Sequence, residues 1–388
     1  MVNSVEDEMR VLYVRNADIE KDRFTISQIE TIKALRKQNI DARLIINGRI
    51  KSDKPYLIIK KKPFQKNRYY RIKMLFYLPY YVLKNKINFL VIDEYSVISA
   101  IIMILLKNIF HKYVILDVRT IPLQDINIPL NRRISYKIAK ILCDGAIFIT
   151  EGTKKVCEEN YDLKFRKTEI ITSAANEKLF NKDIQININQ NIIDKLKNKF
   201  VILYHGSISI NHGVTLIMDS VNKLKYKIPN LLFLSISNNN ELLKNYCVEK
   251  KLELDGYVLF LDAQDNSIIP QYIKLADIGI IPLLRLKWWE VSSPLKLMEY
   301  LSMELPMVLS DIEAHTTVVP RNSDFVIYFN PDTENELDKK ILSAYNNLEE
   351  LKKNSWKGRS IVIENYTWSR LANKLINYFN SFNVEQIN

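Results

Sequence analysis

Short, continuously apolar runs recur along this chain with helical patterns between them, and this alternation restricts the fold more than any other feature. In the first half the runs are "MRVLYVRN", "DARLII", "YLIIK", "NFLVID", "YVILDV", "DGAIFIT" and "TEIITS". In the second half they are "FVILYHG", "LLFLSIS", "YVLFLD", "IGIIPL", "MVLS" and "FVIYF". A strand that reads apolar throughout is covered on both faces, which is the condition of a parallel sheet with helices packed on either side. Segments such as "TISQIETIKALRKQ", "RRISYKIAKIL", "GVTLIMDSVNKL" and "PLKLMEYLSM" supply the helical spacing between runs. At 388 residues the chain exceeds one ordinary core. The polar stretch Asn181–Lys199 separates the two halves and reads as the linker region. The expectation is an α/β protein of two doubly wound, Rossmann-like parallel-sheet domains facing a cleft. They span residues 1–185 and 198–365, and a terminal helix spans 366–388. Ligands in such sheets bind beyond the carboxyl ends of the strands, so the site is expected in the cleft.

Composition narrows the class. Hydrophobic residues make up 47% and charged residues 26%, as in a soluble globular protein. The acidic start "MVNSVEDEMR" lacks a signal-peptide pattern. The longest strongly apolar run, "VISAIIMILL", is about half of a ~20-residue membrane span. Three scattered cysteines (Cys143, Cys157, Cys247), no zinc-like Cys/His spacing and no Asp-x-Asp fit a reduced cytoplasmic compartment without a bound metal. The net charge of +12 is concentrated. Lys54–Lys86 holds ten Lys/Arg, no Asp/Glu and eight Tyr/Phe. Such a surface suits an anionic membrane face, with ammonium groups on lipid phosphates and rings at headgroup level. A solvated basic face with inward-pointing rings is the plainer alternative. Nucleic acid ranks last, because no nucleic-acid module accompanies the charge.

Two stretches carry candidate chemistry. In "EVSSPLKLMEYLSMELPMVLSD", Ser292 or Ser293 suits an N-cap and Pro294 the first helical position. The N–H groups of Leu295 and Lys296 then point out of the helix end, where an anion is welcome. Lys296 opposes the helix dipole there, at a typical cost of ~0.3–1 kcal/mol, and a bound phosphate would reverse that sign. Glu299, three residues on, shares its face and could accept two hydroxyl hydrogen bonds from a sugar diol. A capped helix with solvated Lys and Glu explains these residues equally well. The second stretch is "YHGSISINHGV". Only 8 glycines occur in the whole chain, and two of them, Gly206 and Gly213, fall in this one strand-to-helix loop beside His205 and His212. Glycine at such a turn lets backbone approach a phosphate closely.

Together these stretches resemble the nucleotide-sugar signature of GT-B glycosyltransferases of the large retaining family 4. "SPLKLMEYLSMELPMVLSD" is similar to its Pro-x-Lys-x-x-Glu-Tyr helix and following strand, and "VILYHGSISINHGV" to its first C-domain strand and Gly loop. "KTEIITSAANEKLF", "DGAIFITEGTKKVCEENY" and "ENYTWSRLANKLINYF" are similar to its N-domain end, an N-domain strand and helix, and the terminal helix that crosses back to the N-domain.

The resemblance implies an N-terminal acceptor-binding domain and a C-terminal domain for a nucleoside-diphosphate sugar donor. Lys296 takes the place of the lysine on the donor diphosphate and Glu299 that of the glutamate on the ribose. Gly206 and Ser207 face the diphosphate from the Gly loop, with Ser293, Pro294 and Leu295 at the helix start. Asp262, Ala263 and Gln264 fall where the family contacts the nucleobase. "LDVRTIP" resembles an acceptor-side segment and makes Asp117 and Arg119 candidates there. The catalytic candidates are Lys296, Glu290, Asp117 and His212. Glu290 stands one residue from the position of the family's first glutamate, and Ser207 and His212 replace its usual Arg and Lys.

The implied reaction is metal-independent, retaining transfer of a sugar to an acceptor hydroxyl, with no cofactor. The acceptor is a lipid-linked or cell-surface glycan intermediate at the inner face of the cell membrane, reached through Lys54–Lys86. Rival readings keep the fold: a nucleotide-sugar epimerase, or a non-catalytic binding subunit.

Overall fold

The computed structural model describes residues 9–19, 25–48, 53–61, 67–121 and 130–383. The chain up to Thr172, with the helix Trp368–Asn383, forms one compact unit, and Ser173–Thr367 forms a second.

Among the described residues, seven strands build the first unit: β1 (Arg10–Asp18), β2 (Asp41–Gly48), β3 (Leu57–Lys61), β4 (Phe89–Asp93), β5 (Tyr113–Val118), β6 (Gly145–Phe148) and β7 (Thr168–Ile170). All pair in parallel in the order β3-β2-β1-β4-β5-β6-β7. Every residue of β4 is buried, as its unbroken apolar sequence predicts. Between β1 and β4 the strand order reverses, and there the loops after adjacent strands diverge and leave a crevice. The helix Trp368–Asn383 belongs to this unit: Phe379 stacks on Phe89 with ring centroids 4.7 Å apart, and the Tyr378 hydroxyl donates to Ala146 O at 3.3 Å. Gly145 is what admits it, because a Cβ there would stand 2.3 Å from that hydroxyl.

The helix Asn67–Lys84 carries most of the described part of the basic segment, which begins ahead of β3. Met74, Leu78 and Val82, spaced four apart, face the core. Ile72, Phe76, Tyr80 and Leu83 form an exposed stripe, with Phe76 68% accessible. The helix is therefore apolar on two faces, and of the described rings of the segment Phe76 and Tyr80 are exposed while Tyr56, Tyr77 and Tyr81 are half-buried. Lys62, Phe64 and Lys66 of that segment, and residues 1–8, lie outside the described residues. No helix among the described residues is long and apolar enough to cross a membrane.

The second unit has six parallel strands: β8 (Phe200–His205), β9 (Leu231–Ile236), β10 (Val258–Leu261), β11 (Ile278–Ile281), β12 (Met307–Ser310) and β13 (Val326–Phe329). Their order is β10-β9-β8-β11-β12-β13, which reverses between β8 and β11. The period-2 alternation of β8 splits the core. Val201 and Leu203 pack with Leu297 and Leu301 of the helix Leu295–Ser302, whereas Phe200, Ile202 and Tyr204 pack with Ile217 and Val221 of the helix Val214–Leu224. The polar stretch before β8 is not loose chain. It contains the helix Gln190–Leu196, Leu196 is buried in this unit's core, and Ile184, Ile188 and Ile192 pack against that core. Just before the stretch, Arg359 anchors the chain by donating to Phe180 O at 2.9 Å and Glu177 O at 3.1 Å.

Candidate donor site in the second unit

Gly206 ends β8 with φ +105°, a conformation open to glycine. The loop then runs through a 3-10 turn at Ile210–His212 to Gly213, at φ +67°, which starts the next helix. Gly213 abuts the chain after β11: a Cβ there would sit 2.0 Å from Pro282 O. Both glycines of the sequence signature are thus required, one by its dihedral angle and one also by close approach. Side chains pin the loop between them. The Tyr204 hydroxyl donates to Ser207 O at 2.6 Å, and His212 Nδ1 lies 2.5 Å from Ser209 Oγ. The Trp289 indole donates to Asn211 O at 2.8 Å while its ring packs on His212 at 4.8 Å.

The helix bearing Lys296 begins one residue later than its sequence suggests. Pro294 is the N-cap rather than the first helical residue, and neither serine caps. The serines are occupied elsewhere, because Lys287–Glu290 forms a short helix of its own and leaves them in the connection. Ser292 Oγ donates to Trp289 O at 2.9 Å. Ser293 is joined twice to Ser173: its Oγ accepts from Ser173 N at 3.0 Å, and its carbonyl accepts from Ser173 Oγ at 2.6 Å.

Lys296 is half-buried, with its ammonium nitrogen 3.7 Å from the centroid of the Tyr204 ring. The same nitrogen would be 3.7 Å from a Cβ on Gly206. An ammonium over an aromatic face is attracted by the ring quadrupole, more strongly where water is excluded. The structure thus brings the lysine and the glycine turn together from segments ninety residues apart in sequence. One helical turn on, Glu299 is 3% exposed, with Oε2 3.3 Å from His205 Nε2. Burial pushes the Glu299 carboxyl up to about 8, with Lys296 opposing, and pushes His205 down to about 3, with Lys296 assisting. A second buried histidine, His315, donates from Nδ1 to Ser310 O at 2.8 Å and is pushed down to about 4, chiefly by burial.

These values fix a pH dependence. Glu299 ionises near 4.5 in the unfolded chain and near 8 in the folded one, so stability falls as pH rises between those values, by about 1.4 kcal/mol per unit. Glu299→Gln removes this dependence. Its melting temperature, relative to the unsubstituted protein, is expected to climb steadily from pH 5 to pH 8. The His205 contribution, lost as pH falls from 6.5 toward 3, is common to both proteins and cancels in the difference. A flat difference would mean that Glu299 is already ionised in the native protein.

The other candidates are dispersed. Glu290 is engaged at both oxygens, with Oε1 3.2 Å from Arg285 Nη1 and Oε2 accepting from Glu313 N at 2.6 Å. Asp262, Ala263 and Gln264 follow β10, two strands from β8, where Gln264 Nε2 donates to Asp262 O at 2.9 Å. Asp117 and Arg119 lie in the first unit at the end of β5. Asp117 is 1% exposed, its Oδ1 2.7 Å from Arg119 Nε, while Arg119 Nη1 donates to Ile171 O at 3.0 Å. Among the described residues no group of His, Cys, Asp and Glu could hold a metal ion. Sequence reasoning gave no role to Tyr204, His315 and Trp289. Tyr204 was accessible from the strand period, since it shares neither face nor partner with Leu203, whereas His315 and Trp289 reach the site only through tertiary packing.

Comparison with solved structures places this architecture in a class. A glycosyltransferase from Rickettsia africae ESF-5 superposes with a TM-score of 0.76 at 15% identity, over 97% of this chain and 98% of its own. Sucrose-phosphate synthase from Thermosynechococcus elongatus gives 0.75 at 13%, over 97% and 100%. Anabaena HepE in complex with UDP gives 0.75 at 11%, over 96% and 100%. The fold is that of the GT-B glycosyltransferases. Within it, residues 199–347 match the family described as glycosyl transferases group 1, so the second unit carries that family's pattern. No curated protein matches the chain by sequence.

Proposed function

We propose that the protein transfers a sugar, with retention and without a metal, from a nucleoside-diphosphate sugar to an acceptor hydroxyl. The observation that carries this reading is the Lys296 ammonium, held over Tyr204 against the Gly206 turn at the start of a helix. As the sugar leaves, negative charge grows on the diphosphate. A preplaced cation and a helix N-terminus meet that charge without reorganising, which lowers the barrier. Glu299 receives the ribose diol, the Gly206–Ser207 backbone lies along the diphosphate, and the segment Asp262–Gln264 borders the base. Glu290, bound to Arg285 and Glu313 N, braces the helix carrying His315 rather than touching the sugar. The departing phosphate oxygen assists loss of the acceptor proton. Asp117 and Arg119 belong to the acceptor side.

Location at an anionic membrane is supported by the stripe Ile72, Phe76, Tyr80 and Leu83, flanked by exposed Lys73, Lys84 and Lys86. UDP in the Anabaena neighbour makes uridine nucleotides the first donors to screen. The test is nucleotide release from a panel of sugar nucleotides, with membrane extract as acceptor source, and with sedimentation on anionic vesicles in parallel. Release that requires both one donor and the extract is expected, with salt-sensitive vesicle binding. Donor converted in the absence of extract would point to an epimerase. The transferase reading is lost if no nucleotide is either cleaved or bound.

A further inference from the structure

At the β1/β4 reversal of the first unit lies a crevice of about 330 Å³, bordered by Arg15, Asn16, Asp93, Glu94, Tyr95 and Arg119. We propose that this crevice is a subsite for one uncharged sugar ring, read through its hydroxyls by Asp93 and Arg119 and through its C–H face by Tyr95. The inference rests on the transferase reading and names the chemistry of the acceptor.

Four observations support it. The volume is at the lower end of small-ligand pockets, ~300–1,000 Å³, and the location is where an open parallel sheet places its ligands. The guanidiniums are already committed. Arg119 pairs with Asp117 at 2.7 Å, Arg132 pairs with Glu94 at 2.7 Å, and Arg15 lies in the field of Asp93. Each guanidinium thus stands beside a carboxyl group, an arrangement that offers a phosphate or carboxylate ligand less than it offers a neutral polyol.

The third observation is a pair of buried polar atoms. Asp93 is 4% exposed and Arg119 6% exposed. Asp93 Oδ1 and Arg119 Nη2 have no aligned hydrogen-bond partner among the described residues. Buried polar atoms in that state are costly, and a hydroxyl satisfies both kinds, donating to the carboxylate and accepting from the guanidinium. Asp93's other oxygen is already oriented by Asn16 N at 3.3 Å. Burial raises the Asp93 carboxyl to about 7, with Arg15 opposing and Glu94 adding to the rise. Finally, the Tyr95 ring rests on the Arg132 guanidinium at 5.6 Å yet stays 45% exposed at the rim, an apolar platform beside polar atoms.

Ligand-observed NMR titration of the full chain tests this with methyl hexosides and N-acetylglucosamine against glucose 6-phosphate and glucuronate. At least one neutral sugar is expected to saturate, and the charged analogues to bind no tighter. Tyr95→Ala, an exposed change that leaves the fold alone, and Asp93→Asn should each weaken binding about tenfold. Anionic sugars binding tenfold tighter than neutral ones, or neutral binding unmoved by either substitution, overturns the proposal. Nucleoside diphosphates titrated into the same samples keep the two readings apart. Nucleotide binding without any neutral-sugar binding sinks the subsite alone. Sugar binding without nucleotide binding sinks the transferase reading and leaves the subsite.

Discussion

Lys296→Ala is expected to lower kcat for sugar transfer by ~10²–10³-fold, the usual loss when one preplaced group facing transition-state charge is removed, or about 2.7–4 kcal/mol. The argument rests on where the ammonium is held rather than on its charge alone. A lysine in the first turn of a helix opposes the dipole by ~0.3–1 kcal/mol when nothing binds. Here it is nonetheless half-buried, its nitrogen 3.7 Å from the Tyr204 ring centroid and beside the Gly206 turn. Removing it relieves the dipole and loses the ring contact, two terms of similar size and opposite sign. The melting temperature of the unliganded protein should therefore move little while turnover collapses. Lys296→Arg is not expected to rescue, since a planar guanidinium does not fit the space of a compact ammonium between ring and glycine. Tyr204→Phe keeps the ring over which the ammonium sits and loses the hydroxyl bond to Ser207 O, so it should retain most activity. Turnover of Lys296→Ala within twofold of the unsubstituted protein would remove Lys296 from the chemistry.

Parallel α/β architecture is legible in this sequence because strands buried on both faces leave unbroken apolar runs, and the thirteen strands of the described residues coincide with such runs. Local chemistry is also legible where it depends on backbone: Gly206 and Gly213 are glycines for reasons a turn imposes, and their rarity elsewhere makes them visible. Three things were not legible. Pro294 takes the N-cap because the preceding residues form a separate short helix, a competition between neighbours that no single motif encodes. The stretch Asn181–Lys199 reads as polar linker, yet its few apolar residues find the core: Leu196 is buried, and Ile184, Ile188 and Ile192 pack against it. Burial is decided by which side chains find partners, and average polarity is a poor guide to it. Asp93 and Glu94, in the middle of "VIDEYS", carry no pattern at all. Their meaning comes from Arg15, Arg119 and Arg132, which the strand order brings to one end of the sheet.

Gly213→Ala is expected to be among the most damaging single substitutions in the second unit. Two costs add. The residue sits at φ +67°, where a side chain costs roughly 1–2 kcal/mol. Its Cβ would also be built 2.0 Å from Pro282 O and 3.2 Å from Leu284 Cδ2. The first of these is main chain directly after β11, so it cannot swing aside as a side-chain tip would. Relief requires the loop after β8 to move away from the loop after β11, which parts the two strand ends at the sheet's reversal point. A total of about 3–5 kcal/mol follows, in the range reached only by strain or overpacking, and for a unit of this size that is roughly a 6–20 °C drop in melting temperature. Gly256→Ala separates the two contributions. Gly256 has φ +79° but nothing within 4 Å of its would-be Cβ, so it should show only the dihedral cost. Thermal melts of both variants make the comparison, and equal shifts would show that the Pro282 contact yields freely. Activity is the second readout: displacement of the loop also carries Gly206 away from Lys296, so Gly213→Ala protein that still folds should lose transfer while Gly256→Ala keeps it.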